Sequence, residues 1–449
     1  MKKYIYTFCI CFAPLYSEAI ELKDALTKAY LDHPKIKIYQ ENFIATIQEF
    51  PQVLSEEFLP DVSLSTRTTT TKTKYKNYPG TPTTNSDSFS RQVQVTQPLL
   101  SGGTAVSTLA AIKHKIDASK VEYISKEQEF LLEAIDTYIS LLTNKEKADA
   151  SRSFVLSAQK QYESEEEKLK VGQSTLAEVA GAKAQYAKAL YTNADDNAKY
   201  IASQSAFKSL FKVDPVDITF PDHPEGMPSD YEDFKNKAIA ASLSLRSIHS
   251  QTKAQKNLVV AEYGKLLPKL SAQVSAQEGS SPSNALPTNL KTKSYSTTLS
   301  LSVPIVSSGG SEHSRIRAAK AKLRSAVHSL DSAKNGIESQ LISDWETYIS
   351  SKIALEYASQ EVAARKLAYE GTKTAFDVGV STLVDVLKAE KDMYDSMAQH
   401  IQTKRGAIIS AYKIKSDLAQ LTAKNMGLSA KIFDPDAEFR KTKFRILGF

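Results

Sequence analysis

From residue 104 to residue 170, apolar side chains return on a seven-residue beat. Leu109, Ile116, Tyr123 and Phe130 form one series; after a single step of four, Ala134, Leu141, Ala148, Val155, Tyr162 and Leu169 form the next. A sustained beat of seven belongs to helices that wrap around one another with a left-handed twist, and an insertion of four locally unwinds the wrap. No proline or glycine interrupts this stretch. It therefore predicts one helix of nearly 70 residues, on the order of 100 Å long at 1.5 Å per residue. The same beat, with the same step of four, returns 207 residues later at Ile316, Leu323, Leu330 and Ile337, then Leu341, Tyr348, Leu355, Val362, Tyr369 and Phe376. This second stretch, residues 311–377, meets two glycines, Gly336 and Gly371. Each costs about 1 kcal/mol relative to alanine in a helix.

Ahead of each long helix the period changes from 3.5 to 2. "DVSLSTRTTTTKTKY" (61–75) and "FSRQVQVTQPLL" (89–100) precede the first; "KLSAQVSAQ" from Lys269 and "SYSTTLSLSVPIV" from Ser294 precede the second. Each pair flanks a loop-like stretch, "KNYPGTPTTNSD" or "EGSSPSNALPTNLK", rich in the residues that favour turns. Runs of Thr and Ser alternating with modest hydrophobes are the weak signature of outer-membrane strands. Four strands cannot close a membrane barrel, whose smallest common bacterial form has about eight, so the strands must be shared between subunits. Three chains would give twelve strands and two would give eight, and the pattern leaves the choice open.

Three landmarks keep the order and spacing of the two halves. "LPDVSL" from Leu59 answers to "LPKLSA" from Leu267, "QPLLSGGT" from Gln97 to "VPIVSSGGS" from Val303, and "VGQSTLAEV" from Val171 to "VGVSTLVDV" from Val378. Each half runs helix, strand, strand, long helix, turn, helix, which is the mark of an internal duplication. The expected organisation is a signal segment over 1–19, a first repeat over 20–215, a linker over 216–229, a second repeat over 230–425 and a C-terminal extension over 426–449. In the turn phrases, Gly172 and Gly379 stand where a left-handed residue ends a helix. Ser174 or Thr175 is placed to cap the next helix with Glu178 reaching back, and Ser381, Thr382 and Asp385 fill the same offsets. Both phrases are reversals between antiparallel helices, expected at one end of the molecule about 100 Å from the strands.

Composition narrows the function classes. The opening "MKKYIYTFCICFAPLYSEA" has the basic start, apolar run and small-residue exit of a secretory signal. Both cysteines, Cys9 and Cys11, lie within it, so the exported chain would have no disulfide, thiolate metal site or cysteine nucleophile. Removing Lys2, Lys3 and Glu18 leaves 55 basic and 50 acidic side chains, too even a balance to argue for nucleic acid. No later window approaches the roughly 18 apolar residues of a membrane-spanning helix, which leaves a closed β-barrel as the way into a bilayer. The seven histidines, His33, His114, His223, His249, His313, His328 and His400, form no close metal-ligand pair. With no phosphate-binding glycine loop or nucleophile elbow, neither an enzyme nor a cofactor or metal site is expected. The acidic "ESEEEK" from Glu163 reads as a solvated face before it reads as a cation site. Trp345 and its repeat counterpart Tyr138 read as core packing.

These features resemble the TolC family of outer-membrane efflux and secretion proteins. The resemblance rests on "QPLLSGG" and "VPIVSSGGSEHSRIRAAKAK" at the strand-to-helix junctions, "VGQSTLAEVAGAKAQYAKA" and "VGVSTLVDVLKAE" at the turns, and "FDPDAEFRKTKF" after the second repeat. It covers nearly all of the exported chain. It implies a mainly α fold with membrane strands: a homotrimer with a 12-strand barrel in outer-membrane lipid and a long α-helical coiled-coil tunnel in the periplasm. Its implied partners are a periplasmic adaptor protein and an inner-membrane pump or ABC transporter. Gly172, Gln173, Ser174 and Thr175, with Gly379, Val380, Ser381 and Thr382, become candidate docking residues at the tips. In the family, carboxylate rings and inter-helix bonds near the tips close the tunnel. Matched by position, Asp385 takes the first ring carboxylate and Lys388 stands at the second. Phe376 replaces the latch tyrosine, Ser381 the latch arginine, and Glu178 keeps the latch acid. A closed tip would then need another bond set, with Lys388 reaching Asp385 or Glu178, unless Asp385 is a helix cap and Lys388 a solvated side chain. The competing reading is a structural or adhesive coiled-coil stalk, which needs the heptads and not the strands. Phe449 is a candidate barrel-assembly signal.

Overall fold

A computed structural model describes residues 21–74, 83–281, 290–305 and 308–446. The expected signal segment with Cys9 and Cys11, most of the two loop stretches, and Phe449 lie outside the described residues. The order of elements is α1 (Leu22–Asp32), α2 (Pro34–Ile47), α3 (Glu49–Phe58), β1 (Asp61–Lys74), β2 (Thr83–Ser101), α4 (Thr104–Lys170) and α5 (Leu176–Phe211), followed by α6 (Tyr231–Ala241), α7 (Leu243–Gly264), β3 (Lys269–Ser281), β4 (Leu290–Ser302), α8 (Ser311–Asp377), α9 (Leu383–Asp417) and α10 (Pro435–Thr442). The short helix expected ahead of the first strand pair is three pieces. Pro34 opens α2, where its missing N–H is no loss.

α4 and α8 are 67 residues each. None of the twenty heptad positions is exposed: the beat marks a seam that is half-buried over most of its length and buried at Ile116, Tyr123, Phe130, Ala134, Leu141, Ile316 and Leu341. The neighbouring faces of α8 stay open in the single chain: Ile342, Ile353, Tyr357 and Leu367 are all exposed.

By contacts the chain forms two compact units, and each takes segments from both repeats. The first comprises Met1–Ile38, Lys126–Ser242 and Ile337–Ile432; the second comprises Tyr39–Ser125, Leu243–Gly336 and Phe433–Phe449. The duplicated stretch is therefore a unit of sequence, while compaction is shared between copies. In the first unit Trp345 stacks on Phe234 at 5.3 Å, in a core with Ala238, Leu341, Ile414 and Leu418. Its repeat counterpart Tyr138 is fully buried beside Phe207 and Phe211, and its hydroxyl donates to the Thr219 carbonyl at 3.0 Å. Burial there pushes the phenol up to about 12. In the second unit Phe43, Ile47, Ile116 and Tyr123 form a core closed by Phe433 and Phe439 from the C-terminal segment.

The four strands, all in the second unit, form one antiparallel sheet in the order β1-β2-β3-β4. The central pairing, β2 with β3, joins the two repeats. Its register slips once between Pro98 and Leu100, where the proline has no N–H to give to the ladder. At the strand-to-helix junction, Gly102 has φ +61°, and a Cβ there would stand 2.3 Å from the Gly264 carbonyl oxygen. Only glycine fits that approach.

Candidate functional site

Side chains alternate across a strand, so register decides what each face of the sheet offers. On one face the rows are Val62, Val95 and Val274; Leu64, Val93, Ala276 and Tyr295; and Leu100, Leu270 and Leu301. Leu64, Tyr295 and Leu301 are 73%, 81% and 65% exposed, an apolar surface left uncovered among the described residues. This face turns polar at one end, where Arg91 pairs with Glu278 and Lys293 stands 4.0 Å from the same carboxylate. The opposite face carries Ser63, Gln94, Ser275 and Ser296 in one row and Ser65, Gln92, Gln277 and Ser294 in the next. These side chains bond among themselves: Ser275 to Ser296 at 2.8 Å, and Gln94 to Thr96 at 3.2 Å. One face suits lipid and the other suits water, which is the arrangement of a membrane strand that borders an aqueous passage. β1 and β4 each keep one unpaired edge of 14 and 13 residues. Such edges invite another strand.

The two reversals lie in the first unit. Gly172 (φ +75°) and Gly379 (φ +78°) each follow a helix by the same bonds. The N–H of Gln173 donates to the Lys168 carbonyl at 2.8 Å and that of Gly172 to Leu169 at 3.0 Å; Val380 donates to Ala375 at 2.8 Å and Gly379 to Phe376 at 2.9 Å. These paired bonds satisfy the last helical carbonyls. The next helix opens with a reciprocal cap. Thr175 accepts from the Glu178 N–H at 3.2 Å, and its own N–H donates to the Glu178 carboxylate at 2.7 Å. Thr382 and Asp385 repeat the pattern at 3.2 and 3.1 Å, the shorter acid reaching back less closely. Ser174 and Ser381 donate to the same carboxylates at 3.2 and 3.3 Å. The Thr175 N–H and hydroxyl hold the Glu178 carboxyl below the usual carboxylate range; the Thr382 hydroxyl and N–H do the same for Asp385.

Both candidate gate acids are thus engaged as helix caps within the chain. Lys388 is exposed and makes no ion pair with Asp385 or Glu178 among the described residues. Phe376 meets a different partner: the Lys168 ammonium sits 4.5 Å from its ring centroid, joining the end of α4 to the end of α8. Lys168 is held by Glu165 at 2.9 Å, and Glu165, whose side chain is 2% exposed, also accepts from Ser174 at 2.9 Å. The acidic run from Glu163 is therefore no uniform solvated face, since its central member is buried under the turn. Around the turns Val171, Leu176, Val378, Val380 and Val384 are 70–82% exposed, an apolar fringe about the docking residues.

Further along the same helices, sequence reasoning missed several polar groups. Glu390 is 2% exposed; burial pushes its carboxyl up, and the Ser157 hydroxyl partly offsets this. The Tyr394 hydroxyl donates to Asp196 at 2.9 Å while its ring stacks on Phe154 at 4.8 Å. Burial raises Asp417 to about 7, against the pull of Lys413 at 3.2 Å. The Glu390–Ser157 and Tyr394–Asp196 pairings join helices distant in the chain, for which the local pattern holds no signal, whereas Lys413 lies one turn before Asp417 on α9. Among the described residues there is no group of three His, Cys, Asp or Glu able to hold a metal ion, and no helix long and apolar enough to cross a membrane.

Comparison with known proteins agrees with this geometry. The family model described as outer membrane efflux protein matches residues 52–211 and 235–416, one block in each repeat. The outer membrane efflux protein BepC of Brucella suis is 21% identical over 427 residues, 95% of this chain and 91% of that protein. The outer membrane protein TolC of Vibrio cholerae is 25% identical over 355 residues, 76% of this chain and 79% of that protein. Among solved structures, the Campylobacter jejuni CmeC outer membrane channel superposes with a TM-score of 0.74 at 17% identity, over 94% of this chain and 89% of its own. The open state of the Neisseria gonorrhoeae MtrE channel gives 0.69 at 14%, over 89% and 88%. With the family model covering both repeats, and with one sheet face fit for lipid and the other for water, the chain belongs to the outer membrane efflux protein family and acts at the outer membrane.

Proposed function

We propose that three copies of this chain form the outer-membrane exit duct of a tripartite efflux or type I secretion system. The observation that carries the reading is the two-faced four-stranded sheet with both outer edges open. Three copies, joined β4 to β1, make a twelve-strand cylinder with the Ser and Gln rows inside and the Val and Leu rows against lipid. A stalk surrounded by water would have no use for an exposed apolar face.

The helical tips are the docking surface for a periplasmic adaptor, which links the duct to an inner-membrane pump or ABC transporter. Gly172, Gln173, Ser174 and Thr175, with Gly379, Val380, Ser381 and Thr382, form that surface. The exposed valines and Leu176 beside them supply apolar area that water does not favour. The gate is the group Phe376, Glu178, Asp385 and Lys388. In place of a tyrosine and arginine latch, the contact of Lys168 with Phe376 ties the two tips together, a bond of about 0.5–2 kcal/mol.

Planar-bilayer recording on the purified, assembled protein tests the duct: stepwise ion conductance is expected, and an assembled protein that never conducts would refute it. For the tip, Phe376→Leu removes the ring that Lys168 faces and is expected to raise the open fraction.

A further inference from the structure

Charge is divided unevenly between the repeats where the helices meet the sheet. Residues 243–269 and 311–330 hold ten Lys and Arg against two Glu; their counterparts in the first repeat, 35–61 and 104–123, hold five against seven acids. Within the basic stretch Arg317, Lys320 and Arg324 follow at steps of three and four, so they share one face of α8. All three are exposed. None is in an ion pair among the described residues, where the pairs within α8 begin with Lys334 and Asp331. The Lys320 ammonium lies 5.2 Å over the ring of Tyr263 in α7, beside the exposed Val260 and Leu267. Cations next to a half-exposed tyrosine and aliphatic side chains make the chemistry of a bilayer interface.

Repeat symmetry indicates which way this row faces. The row Lys320, Arg324, Val327 and Asp331 corresponds, 207 residues earlier, to Lys113, Asp117, Lys120 and Ile124. There the C-terminal segment lies against it: Lys120 pairs with Asp436, Ile124, Phe433 and Phe439 all pack on the core of Phe43, Ile47, Ile116 and Tyr123, and Phe50 meets Phe439 edge-on at 5.5 Å. A helix on the channel side would stand in the passage, so the side that α10 covers is the outer one. In the second repeat no such cover exists among the described residues, and Val327 is 41% exposed.

We propose that Arg317, Lys320 and Arg324 bind the anionic phosphodiester headgroups of the inner leaflet of the outer membrane. α8 starts nine residues after β4 ends. At 1.5 Å per residue, Arg317 and Lys320 lie roughly 9 and 14 Å along the helix and Arg324 roughly 20 Å. Helical side chains lean towards the helix N-terminus, which here is the membrane end, and long cationic stems extend that reach. The field of an anionic leaflet extends a further Debye length, about 8 Å at physiological salt. The row thus collars the barrel with cations just inside the headgroup layer. The inference rests on the duct reading for its inside and outside.

The test uses the assembled full-length protein in phosphatidylcholine nanodiscs with trace labelled phosphatidylglycerol or phosphatidylcholine, measuring the relative association of the two. Wild type is expected to prefer phosphatidylglycerol by on the order of five-fold or more, since each cation near such a surface contributes about that factor. The preference should disappear in R317Q/K320Q/R324Q and survive in R315Q/K322Q, which neutralises the opposite face of α8. The single variants R317Q and K320Q, each expected to lower it by at least two-fold, cover the case in which the triple variant fails to assemble. A preference unchanged by these variants overturns the proposal. So does a triple variant whose only change is the cation-to-anion permeability ratio, which would put the row in the lumen. Wild type that inserts and conducts without preferring phosphatidylglycerol refutes this inference alone; wild type that never conducts refutes the duct.

Discussion

At Gly172 and Gly379 the backbone takes φ of +75° and +78°, with open space where a Cβ would point. Alanine there meets no clash and suffers only the left-handed conformation, a cost of about 1–2 kcal/mol. Each of G172A and G379A should therefore lower thermal stability modestly and raise proteolysis at the turn. Removing the caps with Thr175→Ala or Thr382→Ala should cost about 1 kcal/mol apiece, read as a shift in the denaturation midpoint. Titration separates two kinds of acid. Glu178 and Asp385 have folded values below their unfolded ones, so their contribution is present above about pH 4 and fades as pH falls through the folded value. Asp417 works the other way: raised to about 7, it keeps its proton between about pH 4 and 7 and loses stability as pH rises through that window. Asp417→Asn should raise the melting temperature at pH 8, with the gain shrinking towards pH 5. The turn residues were legible because a glycine, a hydroxyl and an acid at fixed offsets describe a local hydrogen-bond set. Glu390 was not, because its burial comes with a helix distant in the chain, and Glu165 was not, because the pattern does not say which acid of its run the turn folds over.

Among the elements, the strands make the sharpest contrast. Leu64 sits on the apolar face and Ser275 on the polar one. Leu64→Arg should lower the inserted fraction in a bilayer refolding assay, by about 2–4 kcal/mol if the site lies near the midplane. Ser275→Asp should leave insertion intact and shift the conducted ions towards cations. The sequence pattern carried both strand pairs and both long helices because their periods, 2 and 3.5, survive a doubling that has erased most identities. It did not carry the division into three of the helix ahead of the first strands, where Pro34 and the end of α2 at Ile47 break a continuous apolar stripe. Nor did it carry the two compact units, since which segments of the two copies pack together is a matter of tertiary contact.

For the whole molecule, the exposed faces of α8 and the open edges of β1 and β4 leave one chain unfinished, and hydrodynamic mass in detergent should be three times that of the mature protein. The central joint, β2 to β3, is made within a chain, whereas the closing joint, β4 to β1, has to be made between chains. A damaged β1 or β4 therefore harms two healthy neighbours as well as its own subunit. In a cell making equal amounts of intact and edge-defective protein, random assembly into threes leaves about one in eight ducts without a faulty member. Edge lesions in this gene should accordingly behave as dominant negatives, while an allele that produces no protein should be recessive.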